Sequence, residues 1–174
     1  YDAGSAVTTG VQNTLIGGLA GDALTDADHN VVVGYAALSS DTLGSKSIAI
    51  GHAALQVQNF TTATDAYNVA VGYNAGQATT TGINNTLIGG LAGDALTDAD
   101  LNVAVGYAAL SSDTLGSRST ALGFQALAAQ NFTTATDTYN TAVGFNAGVS
   151  VSTGVQNTLI GGLAGDSLTD ADYN

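Results

Sequence analysis

The chain contains no cysteine, no proline, no methionine and no tryptophan. Without cysteine there is neither a disulfide framework nor a thiolate metal site. Without proline, nothing removes a backbone donor from a strand ladder. Positive charge is almost missing as well. Lys46 and Arg118 stand against fourteen acidic residues, for a formal net charge of −12. Nucleic acid and anionic membrane both require basic patches, so this balance argues against either as a partner. No apolar run approaches the roughly 18 residues needed to span a bilayer, and no signal peptide is visible. Histidine occurs only at His29 and His52. The raw material for a nucleophilic triad or a zinc site is therefore lacking, and the chain is expected to be neither an enzyme nor a cofactor carrier.

What the chain has is repetition. A nine-residue phrase, Asn/Ser-x-x-(Val/Ile/Leu)-Gly-x-x-Ala-(Gly/Leu), begins at Asn13, Asn30, Ser47, Asn68, Asn85, Asn102, Ser119, Asn140 and Asn157. The openings step through the numbering by 17, 17, 21 and 17, and the series then repeats. Residues 13–84 accordingly match residues 85–156 at 54 of 72 positions. Self-similarity at a fixed period marks a chain that stacks one small unit on the next. Residues 1–174 read as a single array: a partial coil at 1–12, 72-residue repeats at 13–84 and 85–156, and a partial repeat at 157–174. Tyr1-Asp2-Ala3-Gly4 matches Tyr73-Asn74-Ala75-Gly76, and Asn174 opens another phrase. The sequence thus reads as an excerpt of a longer fibre.

Within each phrase the third residue after the opening Asn or Ser is a large aliphatic, such as Ile16, Val33, Ile50 and Val71. It shares a strand face with Thr, Val or Ile two residues earlier, and that face is expected to be the core. The residue between them is Leu, Val or Ala, so the second face is covered too, at close approach where it is Ala. Glycine follows every strand: Gly17, Gly34, Gly51, Gly72, Gly89, Gly106, Gly123, Gly144 and Gly161. A positive φ or a lack of room for Cβ explains such a column. An alanine three residues later marks a second short segment, expected as a strand. The opening residues Asn13, Asn30, Asn68, Asn85, Asn102, Asn140 and Asn157 suit either a side-chain ladder between coils or local Asx turns. The fold class is all-β: a parallel β-roll or β-solenoid with 17- and 21-residue coils, assembled as an intertwined or side-by-side homotrimer that buries the second strand face.

Two loops have chemistry to offer. Asp22, Asp26 and Asp28 recur as Asp94, Asp98 and Asp100. Three closely spaced carboxylates supply oxygen ligands of the kind calcium takes. The alternative is a solvated loop splaying outward, with Ala23 and Ala27 between the acids. The longer loop carries Phe60 and Phe132, followed by Tyr67 and Tyr139, which either pin the loop or display rings to a glycan or receptor. Both histidines change identity between copies, His29 to Leu101 and Tyr173, His52 to Phe124, as tolerant positions do.

The phrase resembles the head repeats of trimeric autotransporter adhesins, with their Asn-Ser-x-Ala-Ile-Gly-x-x-Ala motif. Its wording, as in Asn140-Thr141-Ala142-Val143-Gly144-Phe145-Asn146-Ala147-Gly148, is similar to repeat arrays in tail-fibre and other structural proteins of marine bacteriophages. The resemblance implies parallel β-rolls gathered as trimers. It points to an extracellular fibre shaft, on a virion or a cell surface, that presents a host-binding end elsewhere on the fibre. The alternative it implies is an adhesin head that binds host or matrix directly.

Overall fold

The structure, a computed structural model, describes residues 2–174; Tyr1, the first residue of the partial coil, lies outside them. Among the described residues every regular element is a strand. Nine three-residue strands, from Thr14–Ile16 to Thr158–Ile160, stack in chain order into one parallel sheet. Register follows the phrase. Thr14, Leu15 and Ile16 pair with Val31, Val32 and Val33, and these pair with Ile48, Ala49 and Ile50. The 21-residue step preserves it, because Ile48, Ala49 and Ile50 pair with Val69, Ala70 and Val71. The chain is therefore a parallel β-solenoid, one coil per phrase.

The strand faces are reversed from the expected assignment. The middle residue points into the coil: Val32, Ala49, Ala70, Leu87, Ala104, Ala121 and Ala142 are fully buried. The aliphatic column expected in the core points out, with Ile16 at 58% exposure and Ile50 at 37%. The reason is volume. So short a coil has a narrow interior, already occupied from the opposite wall by Leu24, Leu38 and Leu55. Where the strand offers Leu15 or Leu87, the far wall offers Gly21 or Gly93. A Cβ on Gly21 would press on Leu15 and Leu24, and one on Gly93 on Leu87 and Leu96, all within 3.0 Å. Where the strand offers Ala49, Ala104 or Ala121, the far wall offers Leu55, Leu110 or Leu127. Large opposes small in these coils. Where both are small, at Ala70 with Gly76 and Ala142 with Gly148, leucines of the two neighbouring coils, Leu55 and Leu87 or Leu127 and Leu159, close in on the glycine. That is how a thin core reaches interior packing density.

The glycine after each strand lines up in one column, as expected. These nine residues hold φ between +126° and +145°, and in every coil but the last a Cβ would meet the next glycine's carbonyl oxygen. Both reasons for glycine apply at once. The segment that follows is not a strand. It is a turn in which Ala20, Ala54 or Ala75 donates its N–H to the carbonyl of Gly17, Gly51 or Gly72. The residue two after the glycine is left-handed even when it carries a side chain, as at Leu19, Ala36, Ala53 and Asn74. Such conformations cost of order 1 kcal/mol each and persist only where surrounding contacts enforce them. Here the enforcing contacts run between coils: Ala36 N–H donates to Gly18, Ala53 to Tyr35 and Asn74 to His52.

Candidate interaction surface

The opening asparagines form a ladder rather than local turns. Asn30 Oδ1 accepts from Ser47 N–H at 2.8 Å, Asn68 Oδ1 from Asn85 N–H at 2.9 Å and Asn85 Oδ1 from Asn102 N–H at 3.0 Å. Each amide nitrogen closes its own coil: Asn30 Nδ2 donates to Gly44 O, Asn68 Nδ2 to Gly82 O and Asn85 Nδ2 to Ala99 O. These side chains are buried, and one amide satisfies partners on two coils, as burial of a polar group requires.

The 21-residue coils solve the same problem with other residues. Ser47 is too short to close the coil, and Gln58 takes over. Its Nε2 donates to Asp41 Oδ2 at 2.6 Å and to Ser47 Oγ at 3.2 Å, and its Oε1 accepts from Asn68 Nδ2 at 2.9 Å. Asp41 is fully buried, and its Oδ1 accepts from the backbone N–H groups of Gly44 and Phe60. The second copy repeats this with Asp113, Gln130, Ser119 and Asn140. Two-residue ladders, Gly44–Ser45 with Thr64–Asp65 and Gly116–Ser117 with Thr136–Asp137, carry the excursion. Phe60 and Phe132 are buried and pin it, whereas Tyr67 and Tyr139 are exposed. The signal for this clamp is present in the sequence: Ser replaces Asn only at the opening of the longer step, and Asp and Gln accompany it.

The acidic segment does not splay. It forms one wall of the coil, with Leu24 and Ala27 in the core and Asp26 outside. Its carboxylates face the neighbouring coil. Asp28 Oδ1 accepts from Val11 N–H at 2.7 Å and Asp100 Oδ1 from Ile83 N–H at 2.7 Å, while Asp26 and Asp98 take the hydroxyls of Thr9 and Thr81. Among the described residues no three His, Asp or Glu side chains converge on one point. Asp22 and Asp94 each keep a buried oxygen without a hydrogen-bond partner. Burial holds the Asp94 carboxyl above its ordinary range, with its own backbone N–H partly offsetting that.

The largest unassigned feature is the outward face of the main sheet. Two parallel columns, Thr14, Val31, Ile48, Val69 and onward, and Ile16, Val33, Ile50, Val71 and onward, face solvent with no charged residue in either. None of the fourteen aspartates lies on a main-sheet strand. A third column runs beside them, one glycine further along each coil. Tyr35, His52 and Tyr73 stack with centroids 5.5 and 5.3 Å apart, and Tyr107, Phe124 and Phe145 with centroids 5.6 and 5.3 Å apart. Gly90 separates the two stacks, so the pattern repeats every four coils. On the opposite margin, the residue before each opening Asn or Ser is left-handed: His29, Lys46, Tyr67, Asn84, Leu101, Arg118 and Tyr139. Lys46 bridges to Asp65 at 2.5 Å with its ammonium over the Tyr67 ring, and Arg118 bridges to Asp137 at 2.9 Å over Tyr139. Asp65, and to a lesser degree Tyr67, makes the Lys46 ammonium harder to deprotonate.

Sequence reasoning misses the aromatic columns, although the residue after each glycine carries them. It also places the outward aliphatic face on the wrong side. No pocket opens among the described residues. Compared with known proteins, the chain matches no family model, no curated protein and no solved structure.

Proposed function

We propose that this chain is a segment of a structural fibre shaft, a homotrimer whose copies associate through the outward face of the main sheet. The observation that carries it is a continuous charge-free strip on a chain of net charge −12. Nine strands about 4.8 Å apart make the strip about 40 Å long. With the aromatic margin it is about 15 Å wide, or about 600 Å² per chain. That reaches the upper end of the apolar patches monomers expose. Five of the nine residues in one column are threonine, so covering the strip is worth at most about 15 kcal/mol per chain at about 25 cal/mol per Å² of apolar surface, before the cost of association. A second copy suits it because it supplies an equally flat, equally uncharged face. The aspartates then remain on the outer walls, where like charges are screened within about 8 Å.

The work is mechanical: spacing and presenting a host-binding end, as in a phage tail fibre or similar appendage outside the cell. One observation favours a second reading, an adhesin head that binds host or matrix itself. Tyr67 with Lys46 and Asp65, and Tyr139 with Arg118 and Asp137, form exposed clusters, one in each copy of the long repeat. Light scattering tests the trimer. The expected mass is three times 17.1 kDa, and Ile88→Asp should reduce it to one chain. A wild-type monomer would remove the proposal. Tyr67→Ala combined with Tyr139→Ala keeps the mass at three chains or more in the shaft reading and abolishes glycan-array or matrix binding in the adhesin reading.

A further inference from the structure

An uncharged strip built from similar coils has a register problem. Strand columns alone cannot tell one coil from the next, and a slip by one coil uncovers only one strand at each end. A slipped association does not close; it leaves faces free for further copies and grows into open assemblies. Something has to count coils.

The two margins of the strip can do so. Along one, Gly90 interrupts the rings between Tyr73 and Tyr107, and the interruption recurs at Gly18 and Gly162. Along the other, the same coils carry an amide: Gln12, Asn84 and Gln156. The intervening coils carry larger or charged groups there, such as Lys46, Tyr67, Arg118 and Tyr139. When flat faces turn toward a common axis, one margin of each copy meets the opposite margin of its neighbour. At equal height Phe124 then meets Arg118, a ring with a cation, Phe145 meets Tyr139, and the Gly90 gap meets Asn84. A slip of one coil instead sets the gap against Tyr67 or Leu101 and a ring against the short amide. The matching period is four coils, so every slip of one to three coils is mismatched, and a slip of four leaves four strands bare.

We propose that the interrupted aromatic ladder and the facing left-handed column fix the axial register between copies of this chain, holding equal coils level around the fibre axis. This rests on the homotrimer proposed above and adds to it which residues choose the alignment.

The test is a dipolar distance measurement between nitroxides. The label goes on Ser112→Cys, an exposed position outside the strip, so it does not touch the contact. Three labels in a level, closed trimer give one narrow distance. Gly90→Tyr should make the ladder continuous and add longer distances, in steps set by the coil height of about 4.8 Å, while the mass stays at three chains or rises. Tyr107→Ala with Phe124→Ala and Phe145→Ala should broaden the distribution in the same way without adding bulk. Several distances in the wild type at trimeric mass would overturn level register while leaving the trimer intact. A single distance that survives both variants would show that the margins do not set it. A mass of one chain would overturn the association itself, and the register with it.

Discussion

The 17- and 21-residue coils achieve the same end by different means. In a short coil one asparagine both closes the turn and ties to the next coil, as Asn85 does to Ala99 O and Asn102 N–H. In a long coil the task is divided between its own Ser47 and Gln58 and the buried Asp41 of the coil before it. The division has a cause. The longer coil brings a further backbone donor, at Phe60, into a buried region beside the Gly44 N–H of the preceding coil, and a carboxylate can accept from several donors at once. The lesson is that an insertion in a solenoid is tolerated when it carries its own polar partners inward and leaves strand register untouched.

The strongest disturbance should be common to both kinds of coil. Gly72→Ala places a Cβ against the Gly89 carbonyl at a φ of +145°. It is expected to cost more than about 3 kcal/mol, read as a fall in the urea midpoint, and Gly51→Ala in a long coil should cost as much. If either were tolerated within about 1 kcal/mol, the backbone-to-backbone column would not constrain the stack. Next come the residues that distinguish the coils. Asp41→Ala leaves two backbone donors and one of the two Gln58 amide N–H groups unpartnered in the core, for an expected loss of about 3–5 kcal/mol. Asn85→Ala should lose about 1–3 kcal/mol. Chemical denaturation of the pair decides whether the buried carboxylate, which serves several donors, carries more of the fold than the single asparagine of a short coil. Equal losses would contradict that.

The smallest effect belongs to Asp94. Its raised carboxyl means the folded chain holds this proton to higher pH than the unfolded chain does. Ionisation is thus a cost to the fold: absent below about 3.8, the ordinary value, and complete above the raised one. Asp94→Asn should stabilise slightly at neutral pH, by well under about 1 kcal/mol because solvent screens this half-buried group. The gain should vanish on acidification. Thermal melts at pH 7 and pH 3 measure it, and a larger gain at pH 3 would reverse the assignment.

How far the sequence discloses this molecule depends on which property is asked of it. Period, register and the glycine column follow from spacing, because parallel stacking places equal positions over one another. The direction of the strand faces does not follow. In Thr14-Leu15-Ile16 and Val69-Ala70-Val71 both faces are apolar, so alternation reveals two faces without saying which is inside. Preferring the larger side chains for the core gives the wrong answer. The cue lies across the coil, in Leu15 with Gly21 and in Ala49 with Leu55, where large opposes small. The ladder of Asn30, Asn68 and Asn85 and the local Asx turn fit the sequence equally well; only the position of the next coil's N–H separates them.

The one-to-one pairing of Ile48, Ala49 and Ile50 with Val69, Ala70 and Val71 bears on inheritance as well as shape. Since residues 13–84 end where 85–156 begin in the same strand register, removing or duplicating one 72-residue block recreates a junction the chain already contains. Each such event changes the length by four coil heights, about 19 Å, and leaves the neighbouring contacts as they were. Near-identical tandem segments are prone to this exchange during copying. Length here is a quantised trait, adjustable in whole steps by recombination without any new packing having to evolve.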